Sequence, residues 1–386
     1  MVKQGLLATS DGALFRGVAV GAEGVAVGEA VFNTAMTCYQ EIITDPSYAG
    51  QIVVLTSPHV GNYGANRDDD QSSVIHARAL VTRSLSRSSS SWRADQLFAD
   101  YLTERQIVAL SGIDTRRLTR HIRDRGAMPV AVGSDIDEGE LVAIAAGAPS
   151  MSGQDLVSSV TTTRSYSSAA TRDPIGSIVA YDFGIKRDIC ASLNARGLDV
   201  TVVPASTTAD ETLALHPDGV FLANGPGDPE PLTESIAAIQ GLLGKVPIFG
   251  ICLGHQVLGL ALGASTFKLP FGHHGGNHPV RNLVDGTVDI TAQNHGFSLD
   301  LWSLTDKPRP TLTGMPTPGQ LPPIVETPYG EVRSTHQNLN DGTNEGLACL
   351  DISAFSVQYH PEAAPGPNDA SGLFDQFVAA IEADRA

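Results

Sequence analysis

The sequence predicts an α/β protein made of a β-rich N-terminal domain followed by a doubly wound domain with a mostly parallel sheet. First, its 386 residues exceed what one ordinary hydrophobic core accommodates. Second, residues 2–85 alternate short apolar runs with Gly, Asp and Asn turns, which is typical of strands. Third, from Ile175 onward strand-like runs alternate with helical patterns, as in βαβ units. We therefore expect domains at 1–150 and 175–386, joined by a Ser/Thr-rich linker at 151–174.

The N-terminal domain carries five apolar runs that predict strands. They cover residues 6–9, 14–20, 25–32, 52–56 and 74–82. The segment TDPSYAG has the composition of a turn, and Ser47 is simply explained as a residue that caps or closes it. Residues 97–132 alternate helix, strand, helix and strand, with Asp114 as a candidate N-cap of the second helix.

That second helix concentrates positive charge. Its arginines are Arg116, Arg117, Arg120, Arg123 and Arg125. A solvated helix face is the ordinary explanation of such a run. A docking surface for an acidic region of a partner is the alternative, and the sequence leaves both open.

Composition and charge exclude several classes of protein. The formal net charge of −17 argues against nucleic acid as a partner, because phosphate binding needs a basic patch. The four cysteines form no C-x-x-C pair, which excludes a zinc ribbon or a thioredoxin motif and fits a reduced compartment. No apolar run is long enough for a signal peptide or for the roughly 18 residues of a membrane span. We therefore expect a soluble, cytoplasmic protein.

Residues 246–262, VPIFGICLGHQVLGLAL, combine a strand, a sharp corner and a helix. The run 246–250 is apolar throughout, as in a strand buried on both faces, and helical spacing begins near Gly254. Gly250 and Gly254 flank Cys252 as G-x-C-x-G, the cysteine version of the corner on which hydrolases mount a nucleophile. The helix N-terminus favours a thiolate. A buried structural cysteine is the alternative, but the strand before and the helix after favour a nucleophile.

A thiol nucleophile needs a base, and the base needs a group that orients it. In FSVQYHPEAAPGP an apolar strand, 355–359, leads to His360, Pro361 ends the strand, and Glu362 follows. The carboxylate can hold one ring nitrogen while the other faces the thiol. We therefore predict Cys252, His360 and Glu362 as catalytic residues.

Two further loops carry candidate chemistry. HHGGNHPV at 273–280 has no common zinc-ligand spacing and no adjoining Cys or carboxylate, so we expect no metal site. NGPGDP at 224–229 lacks the Lys-Ser/Thr of a phosphate loop. Its Gly225–Pro226–Gly227 turn can instead present backbone N–H groups to a carbonyl oxygen. The N–H of Leu253 would supply the other half of that oxyanion hole.

Taken together, GICLGHQ, HPE and NGPGDP resemble the class I, triad-type glutamine amidotransferases. The N-terminal half narrows the resemblance to the family of small, glutamine-hydrolysing subunits of carbamoyl-phosphate synthase. The motifs FNTAMTCYQEIITDPSYAGQIV, PHVGNYG, GIDTRRLTRHIRDRGAM, YDFGIKR, FGHHGGNHPV, QNHGFS and QYHPEAAPGPNDA follow one another as they do in that family. The resemblance covers nearly the whole chain, which makes it far more specific than any one motif.

The resemblance implies a reaction and a set of site residues. Cys252 would attack the side-chain amide of glutamine, His360 would act as base and then as acid, and Glu362 would orient His360. Ammonia would leave, and a γ-glutamyl thioester would be hydrolysed to glutamate. By the same resemblance, L-glutamine would be held by Ser47, Gly225, Gly227, Leu253, Gln256, Asn294, Gly296 and Phe297.

The resemblance also implies a partner. Ammonia would pass through a tunnel to a large subunit that makes carbamoyl phosphate from bicarbonate and ATP, for arginine and pyrimidine synthesis. Nothing in the sequence indicates an ATP site. We therefore expect no cofactor in this chain, with ATP and Mg²⁺ on the large subunit.

Two features depart from the family pattern. Cys38 stands in AMTCYQ where the family usually has Gly, which affects a tight backbone contact. Residues 303–332 are a Pro-rich insertion, which predicts a surface loop or a short hairpin. Because it follows the segment from Asn294 to Phe297, the insertion could lie near the site or the partner.

Three other interpretations remain open at this stage. One is a free-standing cysteine hydrolase that acts on γ-glutamyl peptides and uses the same corner. The second is an amidotransferase subunit of another synthase, although the N-terminal half argues against it. The third is a non-enzymatic binding or regulatory module that retains the fold.

Overall fold

The structure, a computed structural model, describes residues 3–307, 309, 320–364 and 366–385. These residues form two compact units. The first comprises the described residues up to Gln154 together with Pro270–Gly275, and the second comprises Asp155–Leu269 and the described residues from Gly276 onward. The chain first passes from the first unit to the second between Gln154 and Asp155, within the segment for which a linker is predicted.

The first unit contains a closed barrel of seven strands in the order β1-β2-β6-β5-β4-β3-β7. The barrel closes because β1 pairs antiparallel with both β2 and β7. The strands are β1 (Gln4–Thr9), β2 (Leu14–Ala19), β3 (Val25–Asn33), β4 (Gln51–Leu55), β5 (Ala79–Val81), β6 (Val108–Ser111) and β7 (Pro129–Ser134). The helices are α1 (Tyr39–Thr44), α2 (Phe98–Glu104), α3 (Thr115–Arg125) and α4 (Glu138–Ala146).

The predicted strands of this unit are present, with one difference in length. The run 74–82 forms a strand only at Ala79–Val81. Val74 is largely exposed, at 56%, whereas β5 is fully buried. Strand β5 therefore begins to pair with its neighbours only where its side chains enter the core. The run of apolar residues in the sequence does not indicate where that happens.

Two local features of the first unit have clear physical causes. Asp45 caps the predicted turn: its Oδ1 accepts the Ser47 N–H at 2.8 Å, and Pro46–Tyr48 forms a 3₁₀ turn. Cys38 has a φ of 64°, a left-handed conformation that favours glycine, which accounts for Gly at this place in the family pattern. The Cys38 N–H donates to the Tyr63 hydroxyl at 2.5 Å.

Helix α3 begins as the sequence predicts. The Asp114 side chain accepts the Arg117 N–H at 3.0 Å and caps the helix. Thr115, Leu118 and Ile122 form the buried face. The five arginines lie exposed on the rest of the helix surface. A solvated helix face and a docking surface for an acidic partner both require this exposure, so the structure leaves both interpretations open.

The second unit is built on an 11-stranded sheet. Its strands are β8 (Tyr166–Ser168), β9 (Gly176–Asp182), β10 (Leu198–Pro204), β11 (Gly219–Leu222), β12 (Ile248–Ile251), β13 (Ser265–Asn282, of which Pro270–Gly275 belongs to the first unit), β14 (Val288–Asp300), β15 (Ile324–Thr327), β16 (Gly330–Asn338), β17 (Asn344–Cys349) and β18 (Ala354–Val357). Its helices are α5 (Arg187–Ala195), α6 (Ala209–Leu213), α7 (Thr233–Leu242), α8 (Leu253–Ala261) and α9 (Gly372–Asp384).

The centre of this sheet is parallel, which confirms the predicted doubly wound fold. Strands β10, β9, β11, β12 and β18 are neighbours in that order, and each pair is parallel. Successive residues of β9 pack into two different apolar clusters, one with α7 and α8 and the other with α5 and α9. Both faces of the sheet are thus covered by helices. The flanking strands β17, β16 and β15 pair antiparallel, a feature that the sequence does not predict.

Two predicted loops contain regular structure. Within 151–174, Val157 enters the apolar core of the second unit, and β8 pairs antiparallel with β10, so much of this segment packs on that unit. Within 303–332, β15 and β16 form a hairpin, as one of the two predicted forms. Residues 308 and 310–319 of the insertion lie outside the described residues. Among the helices that the structure describes, none is both long and apolar enough to cross a membrane.

Candidate active site

Cys252 lies at the predicted corner. Strand β12 ends at Ile251 and α8 begins at Leu253, with Cys252 between them at φ 55° and ψ −105°. A non-glycine residue rarely adopts positive φ, and such strain is concentrated at functional sites. The corner places the cysteine at the N-terminus of α8, where free N–H groups and the helix dipole favour negative charge.

The two glycines of G-x-C-x-G are required by close contacts between the strand and helix backbones. A Cβ added to Gly254 would lie 2.1 Å from the Leu222 carbonyl oxygen. A Cβ added to Gly250 would lie 2.8 Å from the Gly254 carbonyl oxygen. Only glycine at both positions allows the helix to start this close to the sheet.

The structure brings Cys252, His360 and Glu362 together at the carboxyl end of the parallel strands. Cys252 follows β12 and His360 follows the neighbouring strand β18. His360 Nδ1 lies 2.6 Å from Glu362 Oε1. Among the described residues, the buried His360 Nε2 has no hydrogen-bond partner of ordinary geometry. The Cys252 sulfur is nevertheless close enough to raise the pKa of the His360 imidazole. The thiol itself lies 3.6 Å from the Asn294 carbonyl oxygen.

Lys186 belongs to the site, and sequence reasoning missed it. Its side chain is buried, and its Nζ lies 2.9 Å from Glu362 Oε1 and donates to the Ala363 carbonyl at 2.7 Å. Ala363 and Ala364 both have positive φ, at 59° and 49°, so Lys186 holds a strained turn as well as a carboxylate. In the sequence it is one lysine in YDFGIKR, four residues after the end of a buried strand, and no local pattern distinguishes it from a solvated cation.

Burial and charge shift the pKa values of this cluster in opposite directions. Burial alone would raise the pKa of Glu362, but Lys186 and His360 outweigh it and lower the pKa from 4.5 to about 2. Burial alone would lower the pKa of His360, but Glu362 and Cys252 outweigh it and raise the pKa from 6.5 to about 10. The arrangement therefore favours a carboxylate beside a protonated imidazole, the state that accompanies a thiolate.

These shifts predict how stability depends on pH. The Glu362 contribution is present above its unfolded pKa of 4.5 and is lost as pH falls through its folded pKa. The His360 contribution is complete below 6.5 and is lost as pH rises through its folded pKa. We expect the unfolding free-energy difference between wild type and Glu362→Gln to be largest between pH 4.5 and 6.5. Denaturant titrations across pH measure it, and a difference that stays constant on acidification would contradict the assignment.

The two predicted parts of the oxyanion hole lie against each other. A Cβ added to Gly225 would lie 2.2 Å from the Phe183 carbonyl oxygen and 2.6 Å from Leu253 Cδ2. Gly225 therefore packs directly on Leu253, the first residue of α8, whose N–H has no acceptor in the preceding turn of the helix. Gly227 has a φ of 81° in the same loop, which favours glycine.

The remaining residues predicted to hold glutamine fall into two groups. Gln256, Asn294, Gly296 and Phe297 lie in the second unit. Gln256 Nε2 donates to the Phe297 carbonyl at 2.8 Å, and Gln256 and Phe297 are both buried. A Cβ on Gly296 would meet no described atom within 4 Å, so open space lies beside it. Ser47 is buried in the first unit, and its assignment to the glutamine site stays a prediction.

Comparison with known proteins identifies the family. Residues 7–132 match the CPSase domain of the carbamoyl-phosphate synthase small chain, and residues 179–380 match class-I glutamine amidotransferase. The carbamoyl phosphate synthase small chain of Vibrio cholerae is 47% identical over 403 aligned residues, which cover 100% of both chains. The small chain of Thioalkalivibrio sulfidiphilus is 49% identical over 97% of this chain and 96% of its own. With near-complete coverage at this identity, the chain belongs to the carbamoyl-phosphate synthase small-chain family.

Proposed function

We propose that this chain is the glutaminase subunit of a glutamine-hydrolysing carbamoyl-phosphate synthase. The observation that carries the proposal is the buried cluster of Cys252, His360 and Glu362 at the carboxyl end of the parallel sheet. Ligands bind at this end of open α/β sheets. Family membership supports glutamine as the substrate, because the second unit matches class-I glutamine amidotransferase.

In the proposed reaction the Cys252 thiolate attacks the side-chain amide carbon of glutamine. The C–S bond forms, and the carbonyl oxygen becomes an oxyanion held by the Leu253 N–H and the Gly225 turn. His360 gives its proton to the amide nitrogen, the C–N bond breaks, and ammonia leaves. His360 then takes a proton from water, which attacks the γ-glutamyl thioester. The C–S bond breaks, glutamic acid leaves, and the Cys252 thiolate beside protonated His360 is restored. Once the acid has lost its proton, glutamine and water have given glutamate, ammonia and one proton.

Each supporting residue has a separate task in this scheme. Glu362 holds His360 through Nδ1, which leaves Nε2 facing the thiol. Lys186 neutralises Glu362 and holds the turn that follows it. Ammonia passes to a large subunit that binds ATP and Mg²⁺ and uses bicarbonate to form carbamoyl phosphate. The name of the family supports this partner, because a small chain implies a larger one.

The experiment that tests the proposal measures glutamate and ammonia release from glutamine, by the chain alone and with a large subunit from a related organism. We expect slow hydrolysis by the chain alone, faster hydrolysis in the complex, and glutamine-dependent synthesis of carbamoyl phosphate. Hydrolysis of γ-glutamyl peptides without glutamine turnover would instead favour a free-standing hydrolase. Glutamate production that Cys252→Ala leaves unchanged would favour a non-enzymatic role.

Ser47→Ala tests whether the first unit contributes to glutamine binding. If the Ser47 hydroxyl binds the charged α-groups of glutamine, its loss raises KM roughly tenfold to a hundredfold and leaves kcat within about threefold, since one hydrogen bond to a charged group is lost. Ser57→Ala is the matched control, because Ser57 is similarly buried in the same unit and its hydroxyl contacts the His59 carbonyl at 3.4 Å, a weak hydrogen bond. A KM unchanged in Ser47→Ala would remove Ser47 from the site.

A further inference from the structure

Glu345, in β17, is a carboxylate with no exposure to solvent. Its Oε2 accepts an N–H of Gln293 Nε2 at 2.9 Å, and its Oε1 accepts an N–H of Asn338 Nδ2 at 2.8 Å. An ionised carboxylate has acceptors only. Gln293 must therefore turn its NH₂ group toward Glu345, which directs its carbonyl oxygen the opposite way.

That carbonyl oxygen fixes the protonation of a histidine. Gln293 Oε1 lies 2.9 Å from His295 Nε2, and the Phe297 carbonyl oxygen lies 2.7 Å from His295 Nδ1. Both oxygens accept hydrogen bonds and cannot donate, so both ring nitrogens must carry a proton. His295 is then a buried imidazolium, and Glu345 is the anion that the hydrogen-bond chain connects to it.

The chain of contacts ends at the residues predicted to hold glutamine. The Phe297 carbonyl that accepts from His295 also accepts from Gln256. The Asn294 carbonyl, next to His295 in β14, lies against the Cys252 thiol. A hydrogen bond from a charged donor is about twice as strong as a neutral one, so an imidazolium holds this strand more firmly than a neutral ring.

We propose that Glu345 is a positioning residue for the glutamine site. It acts through Gln293, keeps His295 doubly protonated and thereby fixes the segment from Asn294 to Phe297 beside Cys252. This inference rests on the proposed function for its substrate. A merely structural role for Glu345 would lower stability and leave both the affinity for glutamine and the charge of His295 unchanged.

Glu345→Gln tests the proposal with nearly the same shape. The new amide at position 345 cannot accept from both Gln293 and Asn338. When Gln293 turns its amide to compensate, its NH₂ group faces Nε2 of His295, which must then lose its proton. We expect KM for glutamine to rise about fivefold to tenfold with kcat within about twofold, because a charge-assisted hydrogen bond becomes a neutral one. The ¹⁵N spectrum of histidine-labelled protein, assigned with His295→Gln, should change from two protonated ring nitrogens to one.

Exchanging the two groups supplies the decisive control. In the double variant Glu345→Gln with Gln293→Glu, the carboxylate lies beside His295 and accepts from both the ring and the new amide. The hydrogen bonds that connect His295 through position 293 to position 345 are thereby restored, whereas the 3.2 Å bond from Gln293 Nε2 to the Thr291 hydroxyl is not. We expect the double variant to return KM to within about twofold of wild type and to restore the imidazolium spectrum. A single variant with wild-type KM, or a double variant whose KM stays raised, would overturn the proposal.

The outcomes separate this proposal from the proposed function. A wild-type protein that releases no glutamate contradicts the glutaminase assignment, whereas the ¹⁵N spectrum tests the effect of Glu345 on His295 without any activity. If the single variant does not fold, the double variant decides: a folded protein with an imidazolium and near-wild-type KM supports the proposal. A double variant that also fails to fold, or that folds with a neutral His295, overturns it.

Discussion

Cys252→Ser is expected to reduce glutamine-dependent glutamate production by at least about 10³-fold, while the complex keeps its ability to use free ammonia. The sulfur of a cysteine is intrinsically much more nucleophilic than a serine hydroxyl in the same place, so the first step of the proposed reaction, formation of the C–S bond, has no efficient counterpart in the variant. The two side chains have nearly the same shape, so the fold should be retained. Steady-state assays with glutamine and with ammonium salts measure the two activities separately.

Cys349→Ser is the matched control for this variant. Cys349 lies in β17 of the same unit, and burial and then Asp351 raise the pKa of its thiol to about 12. It should therefore be unreactive, and its replacement should leave both activities close to wild type. Loss of ammonia-dependent synthesis in Cys252→Ser would contradict the proposed division of labour between the two subunits.

Lys186→Met is expected to have the largest effect on stability. It removes the buried cation 2.9 Å from a carboxylate that no solvent reaches. Breaking a buried pair by removing one partner typically lowers the free energy of unfolding by about 3–5 kcal/mol, since the remaining charge stays buried. We also expect kcat to fall about tenfold to a hundredfold, because Glu362 then takes up the proton that should stay on His360.

Two further variants make the Lys186 prediction specific. Lys245→Met, an exposed lysine in the same unit, should leave stability within about 0.5 kcal/mol of wild type. Adding Glu362→Gln to Lys186→Met removes the uncompensated charge. The double variant should therefore lose less free energy of unfolding than the two single variants lose in sum. Chemical denaturation of the wild type, the three single variants and the double variant provides the free energies of unfolding. If Lys186→Met lowers the free energy of unfolding by less than about 1 kcal/mol, the ion pair between Lys186 and Glu362 does not stabilise the turn that follows Glu362.

The sequence predicts the parts of the site that depend on local chemistry. The elbow at Cys252 could be recognised because the glycine spacing and the change from strand to helix periodicity occur within a few residues. His360 and Glu362 could be paired because they are two residues apart and follow an apolar strand. Asp114 could be identified as a helix cap because capping involves only the next turn.

The parts that escaped prediction depend on contacts between distant segments. Lys186 meets Glu362 only because β9 and β18 lie in one sheet, and a lone lysine in the sequence looks like any solvated cation. The start of β5 depends on where the chain becomes buried. The antiparallel strands beyond β18 contain glycines and histidines that mask the alternation expected of strands. Their pairing brings Glu345 to Gln293, a contact that no local pattern indicates.

Covalent labelling with an electrophilic analogue of glutamine, such as a chloroketone, tests the central claim most directly. Mass spectrometry of the digested protein locates the label, and glutamate production is measured in parallel. We predict one label per chain, on Cys252, with loss of activity in proportion to labelling and protection by glutamine. Glutamate production that survives complete labelling of Cys252, or inactivation by a label at another residue, would contradict the account.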